Sequence, residues 1–154
     1  MGIRKLHRLF GENMKALIDT NILLDVILCR EPHLAQSKRV LQCCESLVDG
    51  YIAVHTFSNM FYILHELEDF SVDECRNTFN KLLYVFDVAG LGRREIVSAV
   101  NNILFDDLED SMQNEASVSS SLDYIVTRNK SDFEKSSIPA VSPEEFLMLV
   151  HSKS

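Results

Sequence analysis

Three clusters of acidic and amide residues, well separated along the chain, are of the types that hold a hard divalent cation. The first is "LIDTNILLDVI", with Asp19 and Asn21. The second is "FDDLEDSMQNEA", where Asp106, Asp107, Glu109 and Asp110 fall within five residues. The third is "IVTRNKSDF", with Thr127, Arg128, Asn129 and Asp132. Hard divalent cations favour carboxylate oxygens. Two carboxylates about 4 Å apart repel by roughly 4 kcal/mol at an effective dielectric near 20, so three gathered at one place protonate, spread apart or recruit a cation. A bound Mg²⁺ would also supply chemistry, because it lowers the pKa of a ligated water, holds a scissile phosphate and offsets charge on the departing oxygen.

Each cluster also has a local explanation. Asp19 or Thr20 could simply cap the helix that follows. Acids in a first helical turn gain a few tenths to about 1 kcal/mol each from the helix dipole, which accounts for one or two of the second cluster but not for four neighbours that repel. Asp107, Asp110 and Asn114, at i, i+3 and i+7, share one helix face, whereas Leu108, Met112 and Ala116, at i, i+4 and i+8, form an apolar stripe expected to meet the sheet. The acidic face is then turned from the core centre, where it can border a cleft. The third cluster alone reads as a polar loop.

The elements that would position these residues follow from the hydrophobic pattern. Strand-like and helix-like segments alternate, the signature of a parallel sheet covered on both faces. "KALID" reads as the first strand, "GYIAVH" as the second, "YVFDVAG" as the third, "LDYIVT" as the fourth and "IPAVS" as a short fifth. Between them "ILLDVILC" and the segment after Pro32 make a helix pair, and "TFSNMFYILHELEDF" carries Phe57, Met60, Phe61 and Leu64 at helical spacing. Ser71 with Glu74 forms a capping box, and Ser142-Pro143-Glu144-Glu145 opens the last helix. Further helices are expected from Arg93 to about Leu104 and from about Asp107 to Ser119. Asp19 and the Thr127 loop both stand at carboxyl ends of strands, where open α/β sheets bind ligands. If strands one and four are neighbours, all three clusters converge.

Composition bounds the rest. The 154 residues, 46% of them hydrophobic, suffice for one domain, expected over residues 14–151. Residues 1–13 read as a peripheral extension, because residues 1–15 carry a net +3 against −8 for the whole chain. Cys29, Cys43, Cys44 and Cys75 form neither a zinc pattern nor a disulfide framework, and His33, His55, His65 and His151 lack ligand spacing. Apolar runs are far shorter than the roughly 20 residues that cross a bilayer. The expectation is a soluble, cytoplasmic protein with no membrane association. Its acidity argues against a broad electrostatic grip on nucleic acid, so any such contact is local.

Taken in order, "LIDTNILLDVI", "DDLEDSMQNEA", "IVTRNKSDF" and "VSPEEFL" resemble the PIN domain, the nuclease fold of bacterial toxin ribonucleases of the VapC kind. The resemblance covers about residues 14–150. It implies a three-layer α/β/α sandwich with a parallel, roughly five-stranded sheet, and Mg²⁺- or Mn²⁺-dependent hydrolysis of RNA. Carried over residue by residue, it makes Asp19, Asp107 and Asp110 catalytic metal ligands, with Asp107 alternatively orienting the water and Glu109 an extra acid. Asn21, Asn59, Thr127, Asn129 and Asp132 become supporting or substrate-positioning groups. Arg128 and Lys130, with Arg93 and Arg94 behind them, become candidates for phosphate contact.

The implied partners are RNA, an antitoxin protein and a second copy of the chain. One position departs: the family's glutamate on the helix after strand two is Asn59 here. An asparagine can offer a neutral oxygen but no charge. The alternative reading is therefore a non-catalytic PIN-like module that binds RNA or protein.

Overall fold

The computed structural model describes residues 13–153, so the expected extension at residues 1–13 lies, but for Asn13, outside the described residues. Five parallel strands, β1 (Lys15–Ile18), β2 (Asp49–Ala53), β3 (Asp87–Ala89), β4 (Tyr124–Val126) and β5 (Ala140–Val141), pair in the order β3-β2-β1-β4-β5. Strands one and four are neighbours, as the convergence of the three clusters requires. The order reverses at β1, and that switch point opens a crevice at the carboxyl ends of β1 and β4.

Side chains alternate across the sheet and divide the core in two. Ala16, Ile18, Ile52 and Val126 face α1 (Thr20–Ile27), α2 (Leu34–Ser46), α3 (Val54–Tyr62), α4 (Val72–Val85) and α7 (Pro143–Ser152). Leu17, Ala53, Ala89 and Ile125 face the other layer, which holds α5 (Arg93–Asn101), α6 (Leu108–Ser119) and a 3-10 turn at Lys130–Phe133. The result is the three-layer α/β/α sandwich expected. Among the described residues no helix is long and apolar enough to cross a membrane.

Local chemistry sets the element bounds. Ser71 accepts from the Glu74 N–H while Glu74 accepts from the Ser71 N–H, which fixes the start of α4. Ser142 caps α7 over Pro143. At its far end α4 continues through Val85, so the third strand is three residues long rather than the longer run expected. The second helix begins at Leu34, two residues after Pro32. After α3 the chain widens into one π turn at Ile63–Leu67. Gly50 of β2 has no room for a side chain: a Cβ there would stand 2.7 Å from the Phe86 ring and 2.9 Å from Cys44 Cβ.

Helix α6 corrects the expected apolar stripe. Ala116 of that stripe is buried against the sheet, but Leu108 is 52% exposed and the rest of the buried face is Ser111, Gln113, Asn114 and Ser117. A polar face can be buried here because its groups bond within the fold: Ser111 Oγ donates to the Ala99 carbonyl at 2.8 Å, Ser117 Oγ to the Gln113 carbonyl at 2.8 Å, and Asn114 Oδ1 accepts from Ser136 at 2.6 Å. Asn114 thus points to the β5 approach rather than sharing an open face with Asp110.

Arg128 is also placed differently from the sequence expectation. Its Nε and Nη2 donate to the two oxygens of Asp25 at 2.9 and 3.1 Å, and Ser37 Oγ adds a third bond at 2.9 Å. Asp25 is fully buried, so the guanidinium is held in the fold and is not free to meet a phosphate. Lys130 pairs with Glu145 at 2.8 Å on the surface, where such a bridge is worth at most about 1 kcal/mol.

Two stability outcomes follow. Gly50→Ala overpacks β2 against Phe86 and Cys44 and is expected to cost about 1–3 kcal/mol. Arg128→Ala strands the Asp25 carboxylate in the core and is expected to cost about 3–5 kcal/mol, while Arg128→Ala combined with Asp25→Leu recovers most of that loss. Urea unfolding midpoints at unchanged slope measure both; a single Arg128→Ala loss below about 1 kcal/mol would refute the buried pairing.

Candidate metal centre

Asp19 stands directly after β1, and its N–H extends the ladder to the Val126 carbonyl of β4 at 3.0 Å. It occupies the N-cap position of α1 but its side chain caps nothing. The carboxylate, 5% exposed, instead accepts from Gln113 Nε2 of α6 at 3.1 Å on Oδ1 and from Thr127 Oγ1 at 2.9 Å on Oδ2. Thr127 Oγ1 in turn accepts from the Asn129 N–H at 3.0 Å. One carboxylate therefore joins the ends of β1 and β4 to α6.

Above it opens a cleft of about 550 Å³. Of the residues singled out in the sequence, Asp19, Asn21, Asn59, Asp107, Asp110, Asn129 and Asp132 all line it. Thr127 lies buried beneath Asp19, while Arg128 and Lys130 are not among the lining residues. Asp107 is the N-cap of α6, its Oδ1 accepting from the Asp110 N–H at 3.0 Å. Glu109, which in the sequence stands only as an extra acid, and Gln113, which neither charge nor apolar spacing marks, line the cleft as well.

The acids burden one another. Burial, then Asp107, Asp132, Asp19 and Glu109 in that order, push the Asp110 carboxyl up to about 7. Burial also raises Asp19, against the Gln113 and Thr127 hydrogen bonds that favour its charged form. Glu109 is raised by burial and by Asp107 and Asp19, against hydrogen bonds from Asn59 and Thr20. Among the described residues no three acidic, histidine or thiol side chains form a ready-made cage. The donor set nonetheless suits Mg²⁺ or Mn²⁺, since Mg²⁺ takes one or two carboxylates and keeps several waters. The buried Gln113 Oε1, which has no hydrogen-bond partner among the described residues, is a neutral oxygen left over for such a group.

A raised folded-state pKa means the folded protein holds that proton more tightly than the unfolded chain does. The associated stability is complete below the ordinary 3.8 of Asp110 and is lost as pH rises through about 7. Asp19 and Glu109 act in the same direction. Glu74, Glu95 and Glu145 are lowered by local hydrogen bonds, so their contribution is lost only as pH falls below the usual glutamate range. Without metal, the melting temperature is expected to fall from pH 5 to pH 8, with a shallower slope in Asp110→Asn. Calorimetry in chelator measures it, and a parent curve that rises over that range would contradict the buried acidic cluster.

Over residues 15–131 the sequence matches the family model described as PIN domain. No curated protein sequence matches the chain. Among solved structures, the chain is similar to one from a toxin-antitoxin complex of Klebsiella pneumoniae, with TM-score 0.61 and 23% identity over 83% of this chain and 97% of that one. It is similar to a chain of VapBC2 from Rickettsia felis, solved bound to a promoter DNA fragment, with TM-score 0.62 and 12% identity over 84% and 98%. A chain of FitAcB from Neisseria gonorrhoeae gives TM-score 0.60 and 16% identity over 84% and 98%. At these identities the likeness is one of fold. The family match is a different matter: it runs from the first residue of β1 into the turn after β4, takes in every cleft acid except Asp132, and on it the chain belongs to the PIN domain family.

Proposed function

We propose that this protein is a divalent-metal-dependent ribonuclease that hydrolyses RNA phosphodiester bonds, and that it is the toxin of a toxin-antitoxin pair. The observation that carries the reading is the crowding of Asp19, Glu109 and Asp110 in one cleft at the sheet's switch point, with Asp110 pushed up to about 7. Such crowding costs stability in the apo fold and is relieved by a cation. The structural likeness to chains of toxin-antitoxin complexes supports an antitoxin protein as partner, with a homodimer as the assembly the reading carries.

The chain's own residues have distinct tasks under this reading. Gln113 and Thr127 fix the rotamer of Asp19, which together with Asp110 would hold Mg²⁺ or Mn²⁺. Asp107 braces the first turn of α6 through the Asp110 N–H and so orients that acid. Asn21 and Asn129 line the same cleft and would orient a phosphate ester through their amide N–H groups, while Asp132 beside them would be a supporting acceptor. When bound, the cation supplies Lewis acidity toward the phosphate and makes water a stronger nucleophile near neutral pH. The competing reading, a non-catalytic module that binds RNA or protein, is favoured by the neutral Asn59 in the same cleft.

Asp110→Asn separates the two, and is a cleaner change than Asp19→Asn because Asp19 carries two structural hydrogen bonds. Saturating Mn²⁺ is expected to raise the parent's melting temperature, by about 2.7 kcal/mol of stability at 100 times Kd, and to leave Asp110→Asn almost unmoved. Cleavage of single-stranded and structured RNA is expected to fall by about 100-fold or more in that variant, the upper end of what even indirect supports of a metal site contribute. A parent that binds Mn²⁺ yet leaves both RNAs intact would favour the non-catalytic module.

A further inference from the structure

Asn59 leaves a neutral side chain in an acidic cleft, and Glu109 stands opposite it. In the first turn of α6, Glu109 lines the cleft together with Asn59 and Thr20, whose side chains favour its charged form. The Thr20 and Thr56 hydroxyls lie 3.2 Å apart and buried. Two polar residues, one from α1 and one from α3, thus accompany the Glu109 carboxylate. Glu109 is half-buried, lines the cleft, and lies near enough to Asp19 for the two charges to act on each other. Asp107 differs on each count: it is exposed, and one of its oxygens is already committed to capping α6.

A second observation points to a ligand at the same place. Gln113, one turn beyond Glu109 and 1% exposed, donates Nε2 to Asp19 while its Oε1 meets no donor. A buried amide oxygen left without a donor loses its hydration with nothing in return. A cation beside Asp19 would give it a partner.

We propose that Glu109 supplies the negative charge that Asn59 lacks, so that cation binding in this cleft depends on Glu109 and not on Asp107. Asn59 then serves as the donor that holds the Glu109 carboxylate in place. The carboxylate has moved from α3 to α6 while the charge it brings to the cleft is kept. This inference rests on the metal-dependent reading above and deepens it.

The test is calorimetric titration of Mn²⁺ into the full chain at pH 8. Four proteins are compared: the parent, Glu109→Gln, Asp107→Asn, and the exchange variant Asn59→Glu with Glu109→Gln. Gln keeps the length of Glu109 and removes only its charge. Glu109→Gln is expected to weaken Mn²⁺ affinity by about tenfold or more, the scale at which even indirect supports of a metal site matter. Asp107→Asn keeps an oxygen to accept the Asp110 N–H, so the bracing of α6 survives and only the charge is lost; it should stay within about threefold of the parent, and the exchange variant should return to within about threefold. Should Glu109→Gln prove unstable, Glu109→Ala takes its place in both the single and the exchange variant, with the same expected loss and recovery.

If the parent binds Mn²⁺ and Glu109→Gln binds equally well, or the exchange variant binds no better than Glu109→Gln, this inference is overturned and the ribonuclease reading stands. Asp107→Asn losing as much as Glu109→Gln overturns it too. A parent that binds no Mn²⁺ overturns both.

Discussion

A buried carboxylate at the end of a strand needs donors, and the structure is arranged around supplying them to Asp19. Neither donor is local. Gln113 and Thr127 lie 94 and 108 residues away in sequence, so the Asp19 site exists only once β4 has paired with β1 and α6 has packed over the sheet. Both donors are neutral. Each lowers the cost of burying the charge without cancelling it, which a lysine or arginine would have done. Asp19 therefore keeps the property that makes it useful, a negative charge held in one direction with little access to solvent.

Asp25 shows the opposite treatment six residues later. It too is buried, but Arg128 and Ser37 satisfy it completely, and the pair ties α1 to the segment after β4. Thr127 and Arg128 are adjacent, and each serves a different aspartate: Thr127 the one at the cleft, Arg128 the one in the core. A single strand exit thus contacts both the residue that precedes the first helix and a buried residue within it.

Much of this was legible in the sequence, for reasons that particular residues make clear. The capping box at Ser71 and Glu74 and the Ser142-Pro143 start are local chemistry, so they read directly. The parallel sheet followed from alternation, but the pairing of strands one and four, on which the meeting of Asp19 with the Asp107–Asp110 turn depends, stood only as a condition that the strand order meets. What failed to show was polar burial. Beside Ala116 the inward face of α6 carries serines, Gln113 and Asn114, and hydrophobic periodicity missed these because it counts apolar atoms rather than satisfied donors. Arg128 misled for a related reason: an arginine beside a candidate site suggests phosphate, and only Asp25, more than a hundred residues earlier, reveals its use. Charge alone could not rank Glu109 against Asp107; the ranking depends on which of them faces Asn59 and which caps the helix.

The two outer strands have a consequence of another kind. Among the described residues the sheet ends in β3, three residues long, and β5, only two. Edge strands offer unpaired backbone groups to any extended peptide that passes, and natural proteins limit that exposure by keeping such strands short. Here each margin presents too few groups in register to recruit another chain by strand addition. Self-association through growing β-structure is thereby discouraged, and recognition of this protein by others falls to its helical flanks and its loops.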